Sequence, residues 1–339
     1  MKLRAVDKFL LENADQIERV DKYVNYLTMV APGQKPELEL TGELCASLTA
    51  MLYVYKNQVA ANITENSQKS LQSRFLDAQY RSNKHYHTLA YILGVINSTE
   101  LLVEMSASHY RGKRGKWNAI VGVESLKCII RLVMLLISKR AMPCTVPLHD
   151  DNVDQEELLR LLRRQDENRT NTTFAEFDAT IVSPYVPPQE RLRPIDLDRV
   201  KPPIQLIREL SPQLAISEVV AILRPLIYAL LLKKYRHHPK SWTPWLVGFA
   251  LEFMSQELAK GTMSNGPRMS GLEKEIYGSR GSDMLWWLMR GAAFEHYTKD
   301  FITAAADKLA RIPLLGMAGN LLKDGMGYFD DFYFATATL

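Results

Sequence analysis

The sequence lacks any run of 18 uncharged apolar residues, has few cysteines and carries no sustained field of one charge sign. A hydropathy rule alone therefore finds no transmembrane helix, and the mean hydropathy of −0.16 is too polar for a polytopic membrane protein. Cys45, Cys128 and Cys144 are odd in number and lack metal-type spacing, which favours a reducing environment without a disulfide framework. The net charge of +4 is too mild for a typical nucleic-acid-binding surface, so nucleic acid is excluded as a partner.

Motifs that carry catalysis are also missing from the sequence. It contains no phosphate loop, no dinucleotide-binding glycine motif after a strand and no nucleophile elbow. The pairs His237–His238 and His85–His87 lack Cys, Asp or Glu partners at ligand spacing, so surface histidines are the better explanation. We therefore expect no enzymatic activity, no cofactor and no metal.

Apolar residues recur at steps of three and four through most of the chain, which predicts an all-α protein. Helices are expected over residues 2–28, from Glu43, around Leu71–Ala78 and over 86–107. No alternating strand pattern occurs. Glu100 and Glu104 share one helix face, where a solvated or salt-bridged role is favoured over a metal or acid–base site.

The chain is predicted to form a membrane-associated helical bundle in two halves, joined by a charged proline-rich linker, with one apolar helix in each half, at about 117–137 and 214–232. The proposed domains are an N-terminal half (1–140), a charged proline-rich linker (141–210) and a C-terminal half (211–339). In the C-terminal half, Ser211-Pro212 and Thr243-Pro244 are helix-start signals. Ser282-Asp283 is expected to cap another helix, after a glycine-rich loop at 278–282. Pro225 is expected to kink the helix that follows Ser211.

The charged residues inside and beside the apolar helices indicate that the protein associates with a membrane. They do not decide whether the helices cross it. Glu124, Lys127 and Arg131 form one stripe, which suits a helix packed in a bundle or one lying among lipid headgroups. Eight basic residues lie outside the two apolar helices and five lie at the linker ends. This bias favours cytosolic termini with the linker across the membrane. The outer eight are Arg111, Lys113, Arg114, Lys116, Lys233, Lys234, Arg236 and Lys240.

Several short motifs follow one another along the chain. The most specific is Ser241-Trp242-Thr243-Pro244-Trp245-Leu246, which follows Arg224-Pro225-Leu226. Weaker ones are Glu100 with Val103-Glu104-Met105, then Gly115-Lys116-Trp117, and the terminal Phe332-Tyr333-Phe334. In this order, over about 40–339, the motifs resemble those of the peroxin-16 family. The candidate site residues are the family motif residues Glu104, Trp117, Arg224, Pro225, Trp242, Pro244 and Trp245, and the basic flank Arg111, Lys113, Arg114, Lys116, Lys233, Lys234 and Arg236.

This resemblance implies a non-enzymatic peroxisomal membrane biogenesis factor that supports the assembly of peroxisomal membrane proteins. Its implied partners are membrane lipids and other peroxins, of the peroxin-3 docking type and the peroxin-19 chaperone type. It also implies location at the peroxisomal membrane, reached through the endoplasmic reticulum. The chain departs from animal relatives before Glu100, where only scattered basic residues replace a dense basic targeting stretch.

Alternative functions stay open at this point. One is a lipid-binding peripheral protein that controls peroxisome division. Another is a lipid-modifying enzyme in which the Glu124/Lys127/Arg131 stripe faces a headgroup, and a third is a soluble helical scaffold. For Arg224, Pro225, Trp242 and Pro244, helix caps, a kink and packing explain the residues without contact to a partner.

Overall fold

The computed structural model describes residues 36–63, 71–140, 202–238, 240–264, 269–310 and 332–334, with a few isolated positions between 13 and 23. Within these ranges the chain is helical and has no strand, and an isolated bridge joins Arg140 to Glu209. The expectation of an all-α protein is confirmed. The helix expected over 2–28, apart from those isolated positions, and the linker from 141 to 201 lie outside the described residues.

Three helices form the described part of the N-terminal half: α1 (Pro36–Ile63), α2 (Leu71–Ser82) and α3 (Lys84–Ser138). Asn83 caps α3, because its side-chain oxygen accepts hydrogen bonds from the backbone N–H groups of His85 and Tyr86. Lys139 ends α3 in the left-handed conformation, and its N–H bonds the carbonyl of Leu135.

The helices expected over 86–107 and 117–137 are both parts of α3, and Gly112 separates them. Its φ of 62° and ψ of −166° are non-helical values inside the element. Only glycine adopts this region readily, because it has no Cβ to clash with the backbone. The basic residues around Gly112 therefore lie at an interruption within α3.

The described part of the C-terminal half contains five further α-helices: α4 (Pro212–Lys234), α5 (Trp242–Ser264), α6 (Gly271–Asp283), α7 (Gly291–Ala293) and α8 (Lys299–Ala310). A 3₁₀ helix (Pro203–Leu206) precedes α4, another (Met284–Met289) follows α6, and a π-helical turn (Phe294–Thr298) joins α7 to α8. The expected cap of α4 is confirmed, since the Ser211 hydroxyl accepts the N–H of Leu214 at 3.3 Å. α4 continues as helix through Pro225.

Two local expectations in the C-terminal half are wrong. The glycine-rich stretch 278–282 is not a loop, because it forms the last part of α6. Ser282-Asp283 consequently ends a helix instead of starting one, and the apolar residues after it form the 3₁₀ helix Met284–Met289. The serine and aspartate have the side chains of an N-cap, but the helix that contains them begins earlier, at Gly271.

The two halves share one interior. Leu206 and Ile207 are fully buried against Phe75 and Leu76 of α2 and Leu272 and Ile276 of α6. Residues 202–210, which belong to the expected linker, are therefore part of the packed protein. α4 packs against both α3 and α5, with Cys128 and Leu135 of α3 meeting Ile222 of α4. The division into three domains itself stays a prediction.

Candidate membrane-engaging site

α4 is the one helix in the described ranges that is long and apolar enough to cross a membrane. Its most apolar 18-residue window is 33% buried inside the protein. Glu218 and Arg224 interrupt this apolar sequence. Because an unpaired charge inside protein or lipid is costly, both residues need partners wherever the helix resides.

Glu218 is held by the side chains of α6. Its two carboxylate oxygens accept hydrogen bonds from Arg280 at 2.8 and 2.9 Å, and the Tyr277 hydroxyl donates to one of them at 3.0 Å. Glu218 and Arg280 are both buried. Burial, together with the neighbouring Glu218 charge, raises the pKa of Tyr277, so this hydroxyl stays protonated and continues to donate. A bidentate, buried pair thus fixes α4 to α6.

Arg224 forms the second connection, an ion pair with Glu252 of α5. Gln256, one turn further along α5, donates to Glu252 at 3.1 Å and to the backbone carbonyl of Arg280 at 2.7 Å. The Ser217 hydroxyl donates to the backbone carbonyl of Ser255 at 2.7 Å. The polar residues of α4 and the polar side of α5 therefore face each other inside the protein.

The charged stripe of α3 also points inward. Lys127 lies 2.7 Å from Glu100 and 3.2 Å from Glu124, and all three side chains are buried. The expected pairing of Glu124 with Lys127 is thus confirmed, and Glu100 adds a second carboxylate. Glu124 and Lys127 do not face a headgroup, contrary to what the lipid-enzyme alternative requires. The opposite side of α3 exposes apolar residues at helical spacing: Leu126, Ile129, Val133 and Leu136.

Glu104 joins α3 to the C-terminal end of the chain. Its side chain is 0% exposed, and its two carboxylate oxygens accept the backbone N–H groups of Tyr333 at 2.7 Å and Phe334 at 2.8 Å. Lys116 adds an ion pair at 3.1 Å. The ring of Phe334 packs with Ile120 and Ala229 beneath the ammonium of Lys127. Two of the motifs that carry the family resemblance, the one around Glu104 and the terminal Phe332-Tyr333-Phe334, are therefore in direct contact.

The motif tryptophans form an aromatic cluster at the start of α5. The Trp245 indole N–H donates to the carbonyl of Trp287 at 2.8 Å, and the ring of Trp245 lies 5.5 Å from that of Trp242. Trp242 stacks on His296 at 5.5 Å. Pro244 is buried in the first turn of α5, and because the helix begins at Trp242, the expected cap Thr243 lies inside it. These contacts agree with packing roles for the motif residues.

The basic flank separates into exposed and buried members. Arg111, Lys113 and Arg114 are exposed beside the interruption at Gly112. Lys234, the last residue of α4, and Arg236, just after it, are also exposed. Lys233 is half-buried. Lys116 differs, because its ammonium binds Glu104 and its side chain is only 16% exposed. It belongs to the junction around Glu104 and not to the exposed basic surface.

Trp117 and Pro225 also lie close to the contacts made by the chain's C-terminal end. Trp117 packs against the cluster of Ile120, Ala229 and Phe334. The carbonyl of Pro225 lies 3.5 Å from the Tyr333 hydroxyl. Within the described ranges, no group of three His, Cys, Asp or Glu side chains is arranged to hold a metal ion.

Comparisons with known proteins identify the family. A model of the family described as peroxisomal membrane protein (Pex16) matches residues 5–331. The chain belongs to the Pex16 family. Peroxisome biogenesis protein 16 of Arabidopsis thaliana is 24% identical over 359 aligned positions, covering 93% of this chain and 94% of the plant protein. Peroxisomal membrane protein PEX16 of Schizosaccharomyces pombe is 19% identical over 328 positions, covering 89% and 88%. No solved structure matches the chain.

Membership in the Pex16 family confirms the resemblance stated from the motifs and makes this chain a relative of peroxisomal membrane biogenesis proteins. Sequence reasoning nevertheless missed three residues of the site: Glu218, Arg280 and Trp287. For Glu218 a signal exists, since a carboxylate within an apolar helix requires a cationic partner. For Arg280 and Trp287, no local pattern points to their distant partners.

Proposed function

We propose that this Pex16-family chain supports the insertion of peroxisomal membrane proteins by recruiting a membrane docking factor. The observation that carries the proposal is the family match across residues 5–331, together with relatives named for peroxisome biogenesis. The docking factor would be of the peroxin-3 type, which receives a peroxin-19-type chaperone and its cargo. The chain itself acts as an anchor and a binding surface, without catalysis.

Membrane attachment in this proposal uses residues 111–137 and 212–246. Two features support it: the exposed apolar side of α3, and exposed basic residues at the ends of both segments. In this proposal, Arg111, Lys113 and Arg114 meet anionic headgroups near Gly112, and Lys234 and Arg236 meet them at the end of α4. The attached protein resides in the peroxisomal membrane and reaches it through the endoplasmic reticulum.

The functional test is deletion in the source organism, with one peroxisomal membrane marker and one matrix marker imaged together. We expect loss of both markers from peroxisomes, with the matrix enzyme cytosolic, and recovery of both on re-expression. A tagged peroxin-3-type protein should leave the membrane in the same cells. If it stays on a normal peroxisomal membrane, recruitment is excluded.

A second candidate is a peripheral lipid-binding protein that controls peroxisome division. It is favoured by the shortness of the exposed apolar stripe of α3, which runs for only about 15 Å from Leu126 to Leu136 at the helical rise. Deletion would then leave import normal and change the number or size of the organelles. Alkaline carbonate extraction separates the attachments, since a peripheral chain is released and an integral chain is retained.

A further inference from the structure

The exposed side of α5 is largely apolar, and several of its polar side chains point into the protein. Its exposed side is apolar over about three turns, with Phe253 50% and Met254 53% exposed. The spacing of three and four residues places this set on one face. The six residues, here called the α5 outer face, are Leu246, Val247, Ala250, Phe253, Met254 and Leu258.

The inward side of α5 holds three buried polar residues, Glu252, Ser255 and Gln256. Glu252 pairs with Arg224, Gln256 donates to Glu252 and to the carbonyl of Arg280, and the Ser255 carbonyl accepts from Ser217. In water, a helix gains free energy by burying apolar side chains and leaving charged ones solvated. The reverse arrangement is the expected one where the surroundings of the outer face are hydrocarbon, because the charged groups then need protein partners.

The two ends of the α5 outer face have the residue types found at a membrane surface. Before it lie Trp242 and the exposed basic residues of the α4–α5 turn, Lys234, Arg236 and Lys240. At its C-terminal end, Glu257 lies on the same side of α5, one turn beyond Phe253, and forms an exposed ion pair with Lys260 at 2.9 Å. Tryptophan and lysine or arginine favour the headgroup level, where the ring meets both phases and the cation meets lipid phosphate.

We propose that the α5 outer face is seated in the hydrocarbon of the membrane, with the basic α4–α5 turn at the headgroups. The face spans about 18 Å from Leu246 to Leu258 at the helical rise, less than the roughly 30 Å of a bilayer core. Hydropathy selects α4 and not α5, whose sequence includes the charged residues Glu252, Glu257 and Lys260. The proposal uses the family's membrane setting and is independent of the recruitment of a docking factor.

The test uses the full chain with Cys45, Cys128 and Cys144 replaced by alanine, reconstituted in vesicles of phosphatidylcholine and phosphatidylinositol. A solvent-sensitive fluorophore is attached at Phe253→Cys and, as the matched control, at Lys274→Cys on an exposed position of α6. We expect the emission at position 253 to shift to shorter wavelength and to lose most of its intensity to nitroxides on the lipid acyl chains. The fluorophore at position 274 should keep its aqueous emission.

Two results would overturn the proposal. Aqueous emission at 253, equal to that at 274, means that the α5 outer face is in water. A shifted emission that acyl-chain nitroxides do not quench means that protein, in this chain or a second copy, covers the face. As a second measurement, Phe253→Asp/Met254→Asp should weaken vesicle binding by about tenfold or more, because carboxylates enter hydrocarbon poorly. Unchanged vesicle binding by a folded double variant would also contradict the proposal.

Discussion

α4 and α5 are neighbouring helices of equal length, 23 residues each, and both combine apolar residues with charges. They differ in which side chains they turn towards the rest of the protein. On α4, two large apolar side chains are exposed, those of Ile216 and Leu230, while Ser217 and Glu218 are buried inside the protein. On α5, the apolar outer face is exposed and Glu252 and Gln256 point inward.

The average hydropathy of a helix describes its composition and does not tell which of its sides faces the protein. α4 is long and apolar enough to span a membrane, although α3 and α5 pack against it. α5 is not apolar enough on average, although it exposes more large apolar side chains than α4 does. The pattern of buried charge is the better guide here, because each buried charge identifies a side of the helix that faces protein.

The largest effect is expected at the pair that fixes α4 to α6. Arg280→Leu leaves the buried Glu218 carboxylate with the Tyr277 hydroxyl and no cation. Because an uncompensated buried charge is costly, the free energy of unfolding should fall by about 3–5 kcal/mol. Thermal and denaturant unfolding of the chain in mild detergent measures this loss.

The control for that prediction is Glu218→Leu/Arg280→Leu, which removes both charges and should recover most of the stability. Lys260→Leu breaks the exposed pair with Glu257 on α5 and should change stability by less than about 1 kcal/mol. If the double variant is no more stable than Arg280→Leu, the pairing of charges does not account for the loss.

The second prediction concerns Glu104, whose two oxygens hold the backbone of Tyr333 and Phe334. Glu104→Gln keeps one acceptor oxygen and turns an amide N–H₂ towards the other backbone donor. The loss of a buried, charge-assisted hydrogen bond and of the Lys116 ion pair should cost about 2–3 kcal/mol. It should also expose the end of the chain, so limited proteolysis should remove the last residues faster.

A matched control for Glu104→Gln is Glu209→Gln, which weakens an exposed ion pair with Arg140. Glu209→Gln should leave both the stability and the cleavage rate near those of the original chain. Equal cleavage of the Glu104→Gln variant and the original chain would show that Glu104 does not retain the C-terminal segment.

Local patterns predicted the features of α2, α3 and α4 that depend on neighbours in sequence. Ser211 and Pro212 start the helix, as their side chains require, and the pairing of Glu124 with Lys127 follows from a spacing of three. Helix periodicity likewise indicated the positions of α2 and α3. In each case the deciding interaction is made within one or two turns.

The remaining contacts join residues far apart in the chain, and for this reason local patterns could not predict them. Glu104 bonds residues 229 and 230 positions away, and Arg280 lies 62 positions from Glu218. Ser282 and Asp283 illustrate the limit, since the same residue types occur at the end of α6 and not at a start. The orientation of α5 also depends on its partners Arg224 and Trp287, and composition alone does not specify it.

The third prediction compares two glycines of α5. A Cβ at Gly248 would lie 2.3 and 2.8 Å from ring atoms of Trp287 and 3.0 Å from the ring of Tyr228, whereas nothing lies within 4 Å at Gly261. Gly248→Ala should therefore cost about 1–3 kcal/mol through overpacking. Gly261→Ala should stabilise the helix by about 0.5–1 kcal/mol. Thermal unfolding of the two variants checks the opposite signs, and equal shifts would contradict the inward orientation of Gly248.

The smallest effect is expected where Arg208, just before α4, meets the start of α6. Although burial raises the pKa of Glu273, hydrogen bonds from the Arg208 side chain and from the backbone of Arg208 and Ser270 outweigh it, so the pKa is lowered. A lowered folded-state pKa gives stability that is present above the unfolded value of about 4.3 and is lost as pH falls through the folded value. Glu273→Gln should cost about 1–2 kcal/mol near pH 7 and progressively less on acidification, as the original carboxylate becomes protonated. Thermal unfolding of both chains across this pH range measures the difference, and a difference that does not change with pH would contradict the ion pair.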